Sequence, residues 1–203
     1  IITTRRDAKL AFETVTTHVE IMAGVKTNLG KCAVWSPSGG DAPPGIAELG
    51  SEVWKGDMPT ESNGLNILGC PIGSPSFCKA HAHKRVEDER NFLKYIPKVA
   101  EVNIQCAWLL LLYCAVPRAN HIIRVLPPSI SSHYAELHDS SMFECMLQVV
   151  SVSASSLDSI TVQRLKDWAS LPCRMGGMGL RSARRIAPAA HWAAWCDVIP
   201  EIL

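Results

Sequence analysis

The sequence predicts an α+β fold that is predominantly α-helical, and three observations carry that expectation. Leu65 to Ile72 has strand character, with Gly69 and Gly73 marking a tight hairpin. From Ser76 onward, apolar residues recur at helical spacing through most of the remaining chain. Hydrophobic residues make up 47% of the 203 positions and charged residues 19%, enough apolar material for a core.

The elements follow in order. Ile1 to Thr4, apolar and β-branched, reads as the end of a strand. Arg6 to Met22 places Phe12, Val15, Val19 and Met22 at helical spacing, and Ala23-Gly24 ends that amphipathic helix with a glycine cap. Val25 to Trp35 alternates loosely and suits a strand with a central turn at Asn28-Leu29-Gly30. Ser36 to Asn63 is rich in proline and glycine and carries five acids against the single lysine Lys55. A loop of that length is either an insertion or a functional lid, with at most one helical turn near Ile46 to Leu49.

The helical part starts with Ser76 to Ile96, a charged surface helix with Val86, Leu93 and Ile96 on its inner side. Ala100 to Val116 is apolar on every face around Trp108 to Tyr113, so it is the expected buried central helix, stopped by Pro117. Further helices span Ser131 to Val152 and Leu157 to Ala169. After a glycine-rich connector, Leu171 to Leu180, Ser182 can cap a last helix through His191 and Trp195, bent at Pro188. The composition shift near Pro75 divides the chain into 1–75, holding the acidic insertion 36–63, and 76–203.

Composition excludes several functions. A net charge of +1 excludes a globally basic nucleic-acid coat. The longest apolar run, Cys106 to Val116, falls short of the ~20 residues that span a bilayer. The chain opens Ile1-Ile2-Thr3-Thr4, with neither Met nor a signal-peptide pattern, and so reads as a fragment or a processed piece. Its eight cysteines are scattered without a Cys-x-x-Cys pair, as expected of reduced core thiols in an intracellular protein of nucleus or cytoplasm, not a secreted one. Cys78, His81 and His83 are zinc-like ligands, but on a helix residues 81 and 83 point about 200° apart, so no metal site is expected. No nucleophile elbow is present, and Gly176-Gly177-Met178-Gly179 lacks the Walker lysine, so a close-packing turn is favoured over a phosphate cradle.

Charge is segregated along the chain. Arg164, Lys166, Arg174, Arg181, Arg184 and Arg185 face one acid, Asp167, between Ser159 and Cys196. Lys79 to Lys98 is also rich in bases, whereas Asp41 to Glu61 is acidic. That pattern suits either a face that meets a polyanion or ordinary solvated helices.

Three segments carry a family resemblance. Gly24-Val25-Lys26-Thr27-Asn28-Leu29-Gly30-Lys31 resembles the Gly-x-x-x-Asn-x-x-Lys signature in the palm of non-LTR (LINE-like) retrotransposon reverse transcriptases. Leu65 to Gly73 resembles their Leu-Gly primer-grip hairpin, and Leu171 to Ser182 the Gly-Gly-x-Gly-Leu segment that follows the thumb. The resemblance covers essentially the whole chain and implies a partial palm sheet and hairpin over 1–75, then a helical thumb and post-thumb region over 76–203.

The family's roles fall on particular positions. Lys31 matches the palm lysine near the incoming nucleotide's phosphates, where a cation stabilises leaving pyrophosphate. Asn28 matches the asparagine shaping the turn before it, and Leu68 and Gly69 the hairpin that supports the primer 3′ end. Lys79, Lys84, Arg85 and Lys98 would track the duplex backbone, as would the basic face of Arg181, Arg184 and Arg185. The implied partners are an RNA template, a DNA primer and the upstream fingers and palm of the same polypeptide, with no membrane.

One departure bears on chemistry. In the family, the Asp-Asp pair that helps hold two Mg²⁺ lies immediately before a strand like Ile1 to Thr4, and this sequence starts just after that point. Asp7, its first acid, follows two arginines at a helix start and reads as a dipole partner, not a metal ligand. The expectation is a fragment of an RNA-directed DNA polymerase that touches primer and template, needs no cofactor of its own and is inactive alone. The alternative is a non-enzymatic helical nucleic-acid-binding or interaction module from a decayed element.

Overall fold

In the computed structural model, which describes residues 1–202 and Ala154 by its backbone alone, helix accounts for 63% and strand for one two-stranded antiparallel sheet. The fold class is therefore α+β and predominantly helical. Two compact units, Ile1–Ala80 and His81–Leu203, divide within one continuous helix.

The first unit opens on α1 (Ala8–Ala23), closed by Gly24 in the left-handed conformation, whose N–H bonds the Glu20 carbonyl at 3.0 Å. The predicted amphipathic stripe packs only in part: Phe12 is half-buried, Val15, Val19 and Met22 are exposed, and Ala8 is the buried residue of the helix. Ile1 to Thr4 forms no strand, and Ile1 and Ile2 are exposed. β-branched residues favour a strand only where a neighbour takes up their amides. Val25 to Trp35 also differs from expectation. The Asn28 side chain accepts the Gly30 N–H at 3.1 Å and winds Leu29–Lys31 into a short 3-10 turn, leaving Val34 to make a single bridge to Trp54.

The acidic segment 36–63 is a packed structure, not a solvated lid. Ile46, Val53 and Trp54 are buried with Ala8, and Val34, Ala42 and Leu49 pack against them. The Trp54 indole N–H donates to the Gly40 carbonyl at 2.9 Å, and the Arg5 guanidinium lies 5.3 Å over the Trp54 ring. Arg5 also donates to the Gly39 and Asp41 carbonyls, tying the start of α1 to the loop. Asn63 accepts from the Trp35 indole and donates to the Gly56 carbonyl. One short turn, Ala47–Leu49, is helical, as predicted.

The hairpin pairs β1 (Gly64–Ile67) with β2 (Cys70–Gly73), Ile67 opposite Cys70. Its two-residue loop is Leu68-Gly69, at φ 53° and 81°. Positive φ at both positions is what a type I′ turn requires and what matches the twist of the two strands.

α2 (Pro75–Leu93) buries Val86 and Leu93, and α3 (Ile96–Ala100) buries Ile96, so the three residues predicted to face inward do so. α4 (Ile104–Leu110), capped by Asn103 on the Cys106 N–H at 2.9 Å, continues through a π turn, Leu111–Ala115, and a 3-10 turn, Val116–Arg118, into α5 (Ala119–Val125). Pro117 therefore does not stop the helix; it sits in a tighter turn that needs no amide from it. Nor is this helix buried all round. Ala107, Leu111 and Ala115 are buried, whereas Ile104, Leu109 and Tyr113 are exposed. The run Ile104–Val125 has 22 residues and mean hydropathy 1.3, long and apolar enough to cross a membrane by length and composition alone. Core helices meet the same criterion, and here α4 and α5 pack on α6 (Pro128–Val149).

α6 is the centre of the second unit. Met142, Phe143, Cys145, Met146 and Val149 bury against Leu93, Ile96, Ala107 and Leu111. The same helix buries a polar network: Glu89 accepts from the Tyr134 hydroxyl at 2.6 Å and meets His138 Nδ1 at 2.7 Å. Burial, and next the Glu89 carboxylate, push the Tyr134 phenol up. α7 (Ser159–Ser170) and α8 (Ala183–Ile202) complete the unit, α8 packing on α5 and α6. The eight cysteines are free, but only Cys78 and Cys145 are buried, and burial pushes the Cys145 thiol up to about 11. Cys106, Cys114, Cys173 and Cys196 are exposed and are not core thiols.

Candidate functional site

A cleft of about 580 Å³ opens between α6, α7 and the start of α8, lined among others by Glu136, Lys166, Asp167, Arg181, Arg184 and Arg185. Its construction begins with the connector. The Gly176, Gly177 and Gly179 amides donate to the Cys173, Pro172 and Leu171 carbonyls at 3.0, 3.2 and 2.8 Å. A Cβ on Gly177 would lie 2.3 Å from the Leu171 carbonyl oxygen, so only glycine fits there. The glycine motif is thus a close-packing turn, and its amides are spent internally, not on a phosphate.

That turn delivers Ser182 to α6. Asp139 accepts the Ser182 hydroxyl at 2.6 Å, the Ala183 N–H at 2.7 Å and the Arg184 N–H at 3.2 Å. Ser182 itself accepts the Arg185 N–H at 3.2 Å, the local cap predicted for it. The N-terminus of α8 is therefore occupied by a carboxylate from another helix. Arg184 pairs with Glu136 and Arg185 with Asp167, each at 3.2 Å, and Arg185 also donates to the Ser170 hydroxyl. Lys166 lies 5.3 Å over the Phe143 ring, and Arg181 is exposed at the rim. Around the lining, four cations meet three carboxylates, Glu136, Asp139 and Asp167.

The other residues singled out from sequence are dispersed. In the first unit, Lys31 ends the short turn that Asn28 caps, and both are exposed. Leu68, at the hairpin tip, is 96% exposed beside Gly69. Lys79, Lys84 and Arg85 share α2 but lie about 100–140° apart around it, so they form no single stripe. Lys98 Nζ lies 5.4 Å over the exposed Tyr95 ring, and Lys94 Nζ lies 5.5 Å from the same ring. The cleft unites Arg181, Arg184 and Arg185. Sequence reasoning did not single out Lys166, Glu136 and Asp139 as parts of a site, nor Lys94 and Tyr95. Lys166 was visible in the basic count, but Glu136 and Asp139 lie outside that window.

A second groove, of about 460 Å³, is apolar and bordered by Ile104, Trp108, Leu109, Val149, Val150 and Met178. Among the described residues, no group of three or more His, Cys, Asp or Glu is placed to hold a metal ion. Compared with known protein families, curated proteins and solved structures, the chain matches none.

Proposed function

We propose that this chain is the palm and thumb portion of a LINE-like reverse transcriptase, an RNA-directed DNA polymerase, and that it contributes template–primer contacts. The carrying observation is the convergence of Lys166, Arg181, Arg184 and Arg185 on one cleft. Cations so grouped neutralise backbone phosphates without reading sequence. Lys94 and Lys98, both held over the exposed Tyr95 ring, add a second group of cations that can meet backbone phosphates. The hairpin tip at Leu68-Gly69 supports the reading as well, because it is exposed and has only one side chain to keep a strand end away. A polymerase of this kind works with two Mg²⁺ held by aspartates, which stabilise the attacking and leaving oxygens.

A second reading is favoured by α8, where Trp192, Trp195, Ile199 and Ile202 recur at helix-pairing spacing and are exposed. On that reading the chain is a non-enzymatic helical interaction module of a decayed element.

Titration of the chain with a labelled RNA–DNA primer–template, repeated across salt concentrations, separates the two. Binding should weaken steeply with salt, and Arg181→Ala, Arg184→Ala and Arg185→Ala together should reduce the slope of log affinity against log salt by about one for each phosphate left unneutralised. An unchanged slope removes these residues from the interface. Absence of primer–template binding overturns the polymerase reading.

A further inference from the structure

We propose that the cleft between α6, α7 and α8 is a phosphate-ester site held in check by its own carboxylates, with phosphate entering by taking Arg184 from Glu136 and Arg185 from Asp167. This rests on the polyanion-binding reading above and adds how that site is regulated.

The two ion pairs are built to exchange. Their side chains stand 68% and 46% exposed for Arg184 and Glu136, and 64% and 55% for Arg185 and Asp167. Pairs that wet contribute little to stability and leave guanidinium donors unused. A backbone phosphodiester offers the same planar fork a single charge over two non-bridging oxygens, as a carboxylate does, so it competes for the guanidinium like for like, and inorganic phosphate adds further charge and acceptor oxygens. Lys166 and Arg181 need no release, since neither is in an ion pair among those of the described residues, and both line the cleft. They supply the charge that draws the anion in, and the two arginines close on it.

Asp139 is different in kind. Its oxygens are committed to the Ser182 hydroxyl and to two amides of α8, so it stays in place when the anion binds. It is a fixed negative charge at the α8 N-terminus that keeps the anion off the α8 amides and leaves it to the side chains. Removing Glu136 and Asp167 as charges turns the lining from four cations against three carboxylates into four against one. These two acids therefore restrain the site, and their loss should tighten binding.

The test compares the chain with Glu136→Gln/Asp167→Asn and with Lys166→Ala/Arg181→Ala, each first checked for an unchanged thermal midpoint. Inorganic phosphate is titrated by calorimetry or by chemical-shift changes of the Ala183 and Arg184 amides, and a primer–template duplex is titrated separately by anisotropy. The first variant should bind both ligands more tightly, by about fivefold at low ionic strength, and the second should bind both more weakly. Tighter duplex binding with unchanged inorganic-phosphate binding would place the gain on a nucleic-acid backbone; a gain in both would show that the cleft accepts phosphate as such. Either result supports release of the arginines. Unchanged or weaker binding of both ligands by Glu136→Gln/Asp167→Asn overturns the proposal, while primer–template binding by the parent chain would still stand. Absence of primer–template binding in the parent chain, with phosphate binding tightened in the variant, would instead retire the polymerase reading and keep the site.

Discussion

The Asp139 carboxylate on α6 accepts the Ser182 hydroxyl at 2.6 Å across forty-three positions of sequence, and in doing so fixes where the last helix begins. The same carboxylate takes the Ala183 and Arg184 amides. It thus combines a helix cap with a tertiary tie between α6 and α8.

Asp139→Ala should lower stability by about 2 kcal/mol, the loss of a cap together with part-buried hydrogen bonds. Asp139→Asn, which keeps an acceptor, should cost less than half of that. Denaturant midpoints at constant m-value measure both. Equal losses for the two variants would mean that the carboxylate acts through charge and not through its acceptor geometry.

Glu89 is buried between two partners, Tyr134 and His138, on a neighbouring helix. Glu89→Ala should destabilise by about 3 kcal/mol because it strands both partners in the core. Tyr134→Phe removes one partner and leaves the other, and should cost about 1 kcal/mol. A double-mutant cycle with these two changes should show a coupling of the same order as the Tyr134→Phe loss; additivity would dissociate the pair.

Leu68 occupies a left-handed position at φ 53° and is almost fully exposed. A branched side chain there stores about 1 kcal/mol that asparagine or glycine would not. Leu68→Asn should therefore raise the thermal midpoint while weakening primer–template binding if the tip supports a strand end. A stabilised variant with unaltered binding would leave the hairpin a purely structural turn.

Asp158 caps α7 by accepting the Thr161 N–H at 2.5 Å, and that backbone hydrogen bond holds its carboxyl below the usual carboxylate range. Its contribution is thus present above the pKa the group has when unfolded and is lost as pH falls through the lower, folded value. Exchange protection of the Thr161 and Val162 amides, followed from neutral to acid pH, should drop over that window. In Asp158→Ala protection should be lower and independent of acidification. A wild-type profile that is flat in acid would show the cap to be unused.

Much of the helical architecture was legible because its signals are local. Asn28 and Gly24 sit where the turn and the helix end require them, and Val86, Leu93 and Ile96 bury as their spacing implies. The hairpin was readable for the same reason: Leu68-Gly69 leaves two residues between strands, and a two-residue loop demands positive φ. The failures share a cause as well. Ile1 to Thr4 has strand composition but forms no strand, α1 leaves Val15, Val19 and Met22 of its apolar stripe exposed, and Pro117 sits where a 3-10 turn spares its missing amide. Composition cannot report which partners are at hand.

By itself, the sequence determined the class of fold, the end of α1 at Gly24, the cap of α8 at Ser182 and the enrichment of positive charge after Ser159, since each depends on residues within a few positions of one another. Only the tertiary structure decided what that charge is worth. Between Ser159 and Cys196 one acid faces six bases, but α6 brings Glu136 and Asp139 into the same cleft, from outside that stretch. The proline- and glycine-rich segment followed the same rule. Its tryptophan, Trp54, finds Ile46, Val53 and Arg5 at distances set by chain folding, and turns an apparent loop into a small core. Electrostatic compensation and apolar burial both act through space, so neither can be counted along a chain.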